Sequence, residues 1–441
     1  MTAVTRFAPS PTGRLHVGNI FTAVHNFLTA KKAGGRFLLR LDDTDRARST
    51  EAFAQAIRDD IAWLGLTPDA EVKQSDRFAA YDAALAKLHA AGRAYPCYES
   101  PEELDIKRKV QLSRGLPPVY DRAALKLTDT ERARLEGEGI RPHWRFKLDH
   151  DGHVEWDDLI RGHSHIDPAS LSDPVVRRAD GGYLYMLPSV VDDIDLGITH
   201  VVRGEDHVAN SGIQLQMFAA LGATPPKLAH FGLLTSVDGE LSKRLGSAGM
   251  DALREAGIEP IAVVAMLARL GTADAVEPVA SLDSLIAGHD LSRLGNTHPR
   301  FDPAELQHLN ARIVHQLPFE AVRDRLPGGM DTAAWEVIRA NLTTVGEAAD
   351  WWQVVEGPVT AEVAPEDAAY LAEARATIAE LPWGADIWQA LVERLKASTG
   401  RKGKPLFLPL RRALTGRDHG PEMAALLSLI GRARALERLT F

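Results

Sequence analysis

Apolar and polar positions alternate along the first 70 residues in a pattern that predicts strands and helices by turns. Val4 to Ala8 carries β-branched and aromatic residues and reads as a short strand. Pro9 and Pro11 end it, since neither donates a ladder hydrogen bond. After Gly18, residues Ile20, Val24, Phe27 and Leu28 share one helical face, with Lys31 and Lys32 in the last turn and Gly34 as a stop. Phe37-Leu38-Leu39-Arg40-Leu41 reads as a buried strand, followed by the acidic run Asp42-Asp43-Thr44-Asp45-Arg46. A second stripe, Phe53, Ile57, Ile61 and Leu64, ends at Gly65, with Asp45, Ser49 and Thr50 as candidate caps. Strand–helix alternation of this kind predicts an α/β fold with a parallel, doubly wound sheet.

The character changes from about Gln74 to Pro174. A helix is expected around Tyr81–Ala91, a charged segment near Glu102–Ser113, and strands at Trp144–Leu148 and His153–Trp156. This stretch reads as an α+β insertion that interrupts the sheet, which is expected to resume at Val175-Val176-Arg177-Arg178. Ile198 to Val202 is an apolar strand ending in Arg203-Gly204-Glu205-Asp206-His207. Phe231–Thr235 is strand-like and precedes Glu240-Leu241-Ser242-Lys243-Arg244.

Composition narrows the class. With 441 residues, 45% hydrophobic and 25% charged, the chain is expected to be a soluble protein of more than one domain. Its single cysteine, Cys97, allows no internal disulfide. No signal-peptide core or membrane-spanning apolar run is present, so the cytoplasm is the expected compartment. Net charge is −9, but residues 391–441 hold 11 Lys and Arg against 4 Asp and Glu, a net +7 that leaves −16 for the rest. A basic end on an acidic protein suits local phosphate contacts as well as a solvated helical surface.

Three places carry candidate chemistry. His16 and the backbone N–H groups around Gly18 stand at a helix N-terminus, where unpaired donors and the dipole favour an anion. The acidic run after Leu41 lies at the carboxyl end of a strand, where open α/β sheets bind ligands, and suits an ammonium group or a helix cap. Arg203 suits bidentate pairing with a substrate carboxylate, or a structural ion pair with Glu205, Asp206 or Asp193. A lone Cys97 cannot build the usual Cys/His zinc site, and His143, His150, His153, His163 and His165 follow no metal-ligand spacing.

Taken in order, these blocks resemble a family. Ala8-Pro9-Ser10-Pro11-Thr12-Gly13 with His16-Val17-Gly18-Asn19 is similar to the HIGH signature region of class I aminoacyl-tRNA synthetases in its glutamyl form. Leu241-Ser242-Lys243-Arg244 resembles the mobile KMSKS loop. Leu39–Asp45, Val190–Asp193 and Ile198–His207 resemble glutamyl-enzyme blocks, and Pro405–Gly416 resembles the bacterial helical anticodon-binding region.

The resemblance implies a Rossmann-like catalytic domain (residues 1–74 and 175–245) with an inserted acceptor-end domain (75–174). A stem-contact region (246–300) and an all-α anticodon-binding region (301–441) would follow, the latter opening on Phe301-Asp302-Pro303. It implies ATP with Mg²⁺, L-glutamate and tRNA(Glu) as partners, with tRNA(Gln) or a catalytically decayed tRNA-binding regulator as alternatives, and a monomer without membrane contact. Carried over by position, His16 and Lys243 are catalytic, and His16, Gly18, Asn19, Ser242, Lys243 and Arg244 bind ATP. Arg6, Arg203 and Tyr185 hold the substrate's side-chain carboxylate and Ser10 and Asp42 its ammonium group, with Ala8 and Ser189 completing the glutamate set. The chain departs from the pattern at several places. Zinc-ligand positions read Cys97, Glu99, Ala124 and Lys126, so no zinc is expected. Asp42 replaces a common Glu, Ser189 an Asn, and Leu245-Gly246 a His-Gly pair. An anticodon-reading Arg does not occur near Asn341.

Overall fold

The computed structural model describes residues 2–236 and 249–440, so the predicted Ser242, Lys243 and Arg244 lie outside the described residues. Two compact units are present: Met1–Glu255 with Val263–Pro303, and Ala256–Ala262 with Ala304–Phe441.

The first unit begins with β1 (Val4–Phe7), α1 (Val17–Lys32), β2 (Arg36–Leu41), α2 (Glu51–Trp63) and β3 (Ala70–Lys73). There follow α3 (Phe78–Ala90), β4 (Ala94–Cys97), α4 (Pro101–Ser113), α5 (Asp129–Gly137) and β5 (His143–Phe146). Next come β6 (Val154–Asp158), β7 (Gly162–Ile166) and β8 (Val175–Arg177). The series continues with α6 (Met186–Asp195), β9 (His200–Gly204), α7 (Val208–Leu221) and β10 (Lys227–Phe231).

Strands β1, β2 and β3 pair in parallel, as do β9 and β10. The two sets meet where the Thr199 N–H donates to the Val4 carbonyl at 3.0 Å and Thr199 Oγ1 accepts from the Val4 N–H at 2.8 Å. This sets the amino ends of β1 and β9 together and gives the order β3-β2-β1-β9-β10, the doubly wound arrangement expected. The predicted stripe of α1 is buried as read: Ile20, Val24, Phe27 and Leu28 are at most 4% exposed. Gly34 has φ +59°, and a Cβ on Gly35 would lie 1.8 Å from the Ala3 carbonyl oxygen, so this tight α1–β2 passage needs glycine. Of the three candidate caps for α2, Thr50 serves, its Oγ1 accepting from the Phe53 N–H at 3.2 Å. The buried face of α2 includes Ala54 and Asp60, while the predicted Phe53 is only half-buried.

The expectation that the sheet resumes at Val175 is corrected. Strand β8 pairs antiparallel with β5, which pairs antiparallel with β4, so it closes the inserted sheet; the parallel sheet resumes at β9. An apolar triplet signals extended backbone but not its partner, which long-range packing chooses. The charged Glu102–Ser113 segment is the helix α4, held by a Ser100–Glu103 capping box. Tyr81, Leu88, Phe146, Val176, Leu187, Val190 and Met217 form one apolar core, so α3 and the inserted sheet share their interior with α6 and α7.

In the second unit the described residues from Ala304 onward contain no strand. Its helices pack around Trp335, Leu371, Leu391, Leu410 and Leu427, each fully buried. Pro303 is the first residue of the helix Pro303–Val314, where its missing N–H costs nothing.

Candidate active site

A cleft of about 440 Å³ opens at the carboxyl ends of β1 and β9, beside the start of α1. Of the predicted residues it brings together Arg6, Ala8, His16, Gly18, Asn19, Tyr185 and Arg203. Ser10 is exposed outside it, and Asp42 and Ser189 are buried behind it without lining it.

At one end His16 caps α1. Its Nδ1 accepts from the Gly18 N–H at 3.1 Å, while Asn19 Oδ1 accepts from the His16 N–H at 3.1 Å. The Gly18 N–H is therefore spent on the cap rather than offered to a ligand, which differs from the expected anion donor. An accepting Nδ1 places the ring proton on Nε2. Burial holds the His16 pKa below its ordinary value, so at neutral pH the ring is an uncharged Nε2–H donor facing the cleft. Gly18 makes this possible: a Cβ there would lie 2.9 Å from His16 Cε1.

At the other end stand three buried arginines in different surroundings. Arg40 is fully buried and saturated with acid: it pairs with Asp42 at 2.7 Å and with Asp193 at 2.9 Å, with Asp192 at 3.8 Å. Ser189 Oγ also accepts from Arg40, at 3.3 Å. Asp42 and Ser189 thus fix Arg40 beneath the cleft, and burial raises the Asp42 pKa. Arg6 shares Asp193 with Arg40, at 3.1 Å. Asp192 in turn is held by Gln74, Arg77 and Tyr81, at 2.8, 2.6 and 3.0 Å.

Arg203 is 5% exposed and touches no carboxylate among the described residues. Its partners are neutral: His230 Nε2 at 3.1 Å, the Tyr185 hydroxyl at 3.0 Å, Ser211 Oγ at 2.6 Å and Gln214 Oε1 at 2.8 Å. The structural ion pairs considered for it do not form. Glu205 pairs with Arg161 at 2.8 Å, Asp193 is taken by the other two arginines, and Asp206 lies 3.7 Å from His207 Nε2. Burial without a counter-ion pulls the Arg203 pKa down from its ordinary value, the mark of a cation placed to receive an anion.

His207 was not singled out as a site residue. Its ring lies 5.5 Å from that of Tyr185, and burial and Arg203 push its pKa down to about 4. The wall it contributes is therefore polar and uncharged. The charged run Arg203–His207 was the available signal, but its charges masked the one residue that stays neutral.

In the insertion, Cys97, Glu99 and His143 place a thiol, a carboxylate and an imidazole within 4.8 Å of one another. This donor set fits zinc poorly. One thiol, one carboxylate and one imidazole make three donors, where a structural zinc site takes four, mostly cysteine and histidine. The Tyr120 hydroxyl donates to Glu99 at 2.6 Å, and the Arg145 guanidinium covers the Tyr120 ring at 4.1 Å, adding a cation to the cluster. His143 Nε2 and Glu99 Oε2 have no hydrogen-bond partner among the described residues.

Comparison with known proteins places the chain in a family. Residues 2–308 match the family model "tRNA synthetases class I (E and Q), catalytic domain", and residues 332–441 match an anticodon binding domain. Glutamate–tRNA ligase 1 of Rhizorhabdus wittichii is 65% identical over 99% of this chain and 98% of its own length. Glutamate–tRNA ligase 1 of Novosphingobium aromaticivorans is 59% identical over the whole of both chains. The crystal structure of a glutamate tRNA ligase from Elizabethkingia meningosepticum, in complex with its amino acid, superposes with a TM-score of 0.88 at 27% identity, covering 100% of this chain and 98% of that one. With the catalytic family model spanning well over half of its length and relatives of this identity along all of it, the chain belongs to the class I aminoacyl-tRNA synthetases, among the glutamate–tRNA ligases.

Proposed function

We propose that the cleft joins L-glutamate to the 3′ end of tRNA(Glu) at the expense of ATP. The observation that carries this reading is Arg203, a buried guanidinium with no carboxylate in contact among the described residues. Arg203 and Arg6, with the Tyr185 hydroxyl, receive the side-chain carboxylate of glutamate. Glutamine would leave that charge unpaired, which is the physical basis for rejecting it.

Glutamate's α-carboxylate oxygen attacks the α-phosphorus of ATP and the bond to the β-phosphate oxygen breaks, giving glutamyl-adenylate and pyrophosphate. The terminal ribose hydroxyl of tRNA then attacks the adenylate carbonyl, loses its proton and expels AMP. Catalysis consists of positioning and of stabilising charge on the phosphates. His16 supplies an Nε2–H donor there, Asn19 holds the cap that orients it, and Lys243 with Ser242 and Arg244 closes over the phosphates. Mg²⁺ arrives with ATP and neutralises phosphate charge. We infer that no zinc is held at Cys97, Glu99 and His143. The enzyme works as a monomer in the cytoplasm.

Charging with radiolabelled glutamate, on tRNA(Glu) and tRNA(Gln) separately, tests the reading. Glutamylation of tRNA(Glu) alone is expected. Charging of tRNA(Gln) as well would show a non-discriminating enzyme, and no charging of either would leave only a tRNA-binding regulator.

A further inference from the structure

Arg203 is held from behind by a chain of side chains that begins in the insertion. Asp158 closes β6 and its side chain is fully buried. Its Oδ1 accepts the N–H groups of Ile160, Arg161 and His230 at 3.0, 3.1 and 3.1 Å, while Oδ2 lies 2.5 Å from His230 Nδ1. Those contacts hold the Asp158 carboxyl below its ordinary pKa, so it is ionised and accepts a hydrogen bond from the Nδ1–H of His230. Nε2 is then left as an acceptor. It lies 3.1 Å from Arg203 Nε, and a guanidinium nitrogen can only donate. Ser211 Oγ closes the triangle, 2.9 Å from His230 Nε2 and 2.6 Å from Arg203 Nη2.

We propose that His230 is a positioning residue for the substrate: its neutral Nδ1–H form, imposed by Asp158, aims Arg203 at the side-chain carboxylate of glutamate. The inference rests on the role of Arg203 given above. Protonating His230 would set an Nε2–H against the Arg203 Nε–H and place two buried cations in contact, so Arg203 must turn away. The charged and titratable groups facing this ring are Asp158, Arg203, Arg161, which Glu205 pairs, and His207. Burial, opposed in part by Asp158 and reinforced by Arg203, keeps the His230 pKa below its ordinary value. Loss of glutamate affinity therefore sets in on the acid side of the usual histidine range.

The test measures kcat and the KM for glutamate and for ATP during charging of tRNA(Glu), across mildly acid to neutral pH. It compares the full-length wild type with His230→Gln and His230→Leu. Glutamine keeps an acceptor without a titrating proton; leucine removes the acceptor. At neutral pH, His230→Leu is expected to raise the glutamate KM about tenfold, the loss of one charge-assisted hydrogen bond, with little change in the KM for ATP. His230→Gln is expected to stay near the wild-type KM and to lose the rise in glutamate KM that acid produces in the wild type. A wild-type glutamate KM in His230→Leu overturns the proposal, as does a wild-type pH profile in His230→Gln. Should the leucine protein fail to fold, the glutamine profile decides alone. Absence of glutamate charging by the wild type would overturn the functional reading and this inference with it; intact charging with unmoved variants overturns the inference only.

Discussion

Arg40 and Arg203 are both buried guanidiniums, and what surrounds each decides what it does. Arg40 meets three carboxylates, whereas Arg203 meets four neutral groups and no carboxylate among the described residues. Asp42 illustrates the same point from the acid side: its carboxylate is spent on Arg40 in a two-point contact at 2.7 and 3.1 Å. Replacing Arg203→Lys keeps the charge but loses the planar fork, so the glutamate KM should rise about 100-fold, consistent with the loss of a two-point charge-assisted pair. Steady-state charging kinetics check this, and a KM within twofold of wild type would remove Arg203 from the carboxylate site.

At the scale of the element, α1 shows how a helix start can be both cap and chemistry. The His16 ring folds back on the Gly18 N–H, which fixes its tautomer, and the Cβ-free surface of Gly18 gives the ring room. Gly18→Ala sets two effects against each other. Alanine favours the helix by up to about 1 kcal/mol, and displacing the His16 cap costs a similar amount. Thermal unfolding should therefore move little, while glutamate-dependent ATP–pyrophosphate exchange should fall about tenfold or more as His16 leaves its place. Equal losses of stability and rate would point to a general packing defect instead. Most elements of the first unit were legible because their signals are local: the stripe of α1, the run of three candidate caps before α2 and the glycine at position 34. Strand β8 was not, since its three residues say nothing about which sheet they join.

On the scale of the whole molecule, the insertion is bound into the catalytic unit by a shared core rather than hung from it. Tyr81 and Phe146 pack in one cluster with Leu187 and Met217, while Cys97 sits in a smaller cluster with Tyr95 and Ala124. Dialysis against a strong zinc chelator should leave the melting temperature and the charging rate unchanged, and elemental analysis should find zinc well below one equivalent. A stoichiometric zinc ion, or a large loss of stability on chelation, would show that Cys97, Glu99 and His143 bind metal after all. By itself the sequence determined the alternation of strand and helix and the place of the acidic run and of Arg203 at strand carboxyl ends, because periodicity, caps and turn residues act over a few positions, while the helical C-terminal part was expected from the family resemblance. Only the tertiary structure decided which arginine would be left without a counter-ion. Asp193 reaches Arg6 and Arg40, and His230, itself held by Asp158, reaches Arg203, all from distant strands and helices, and the charge state of a buried group depends on every neighbour that folding brings to it.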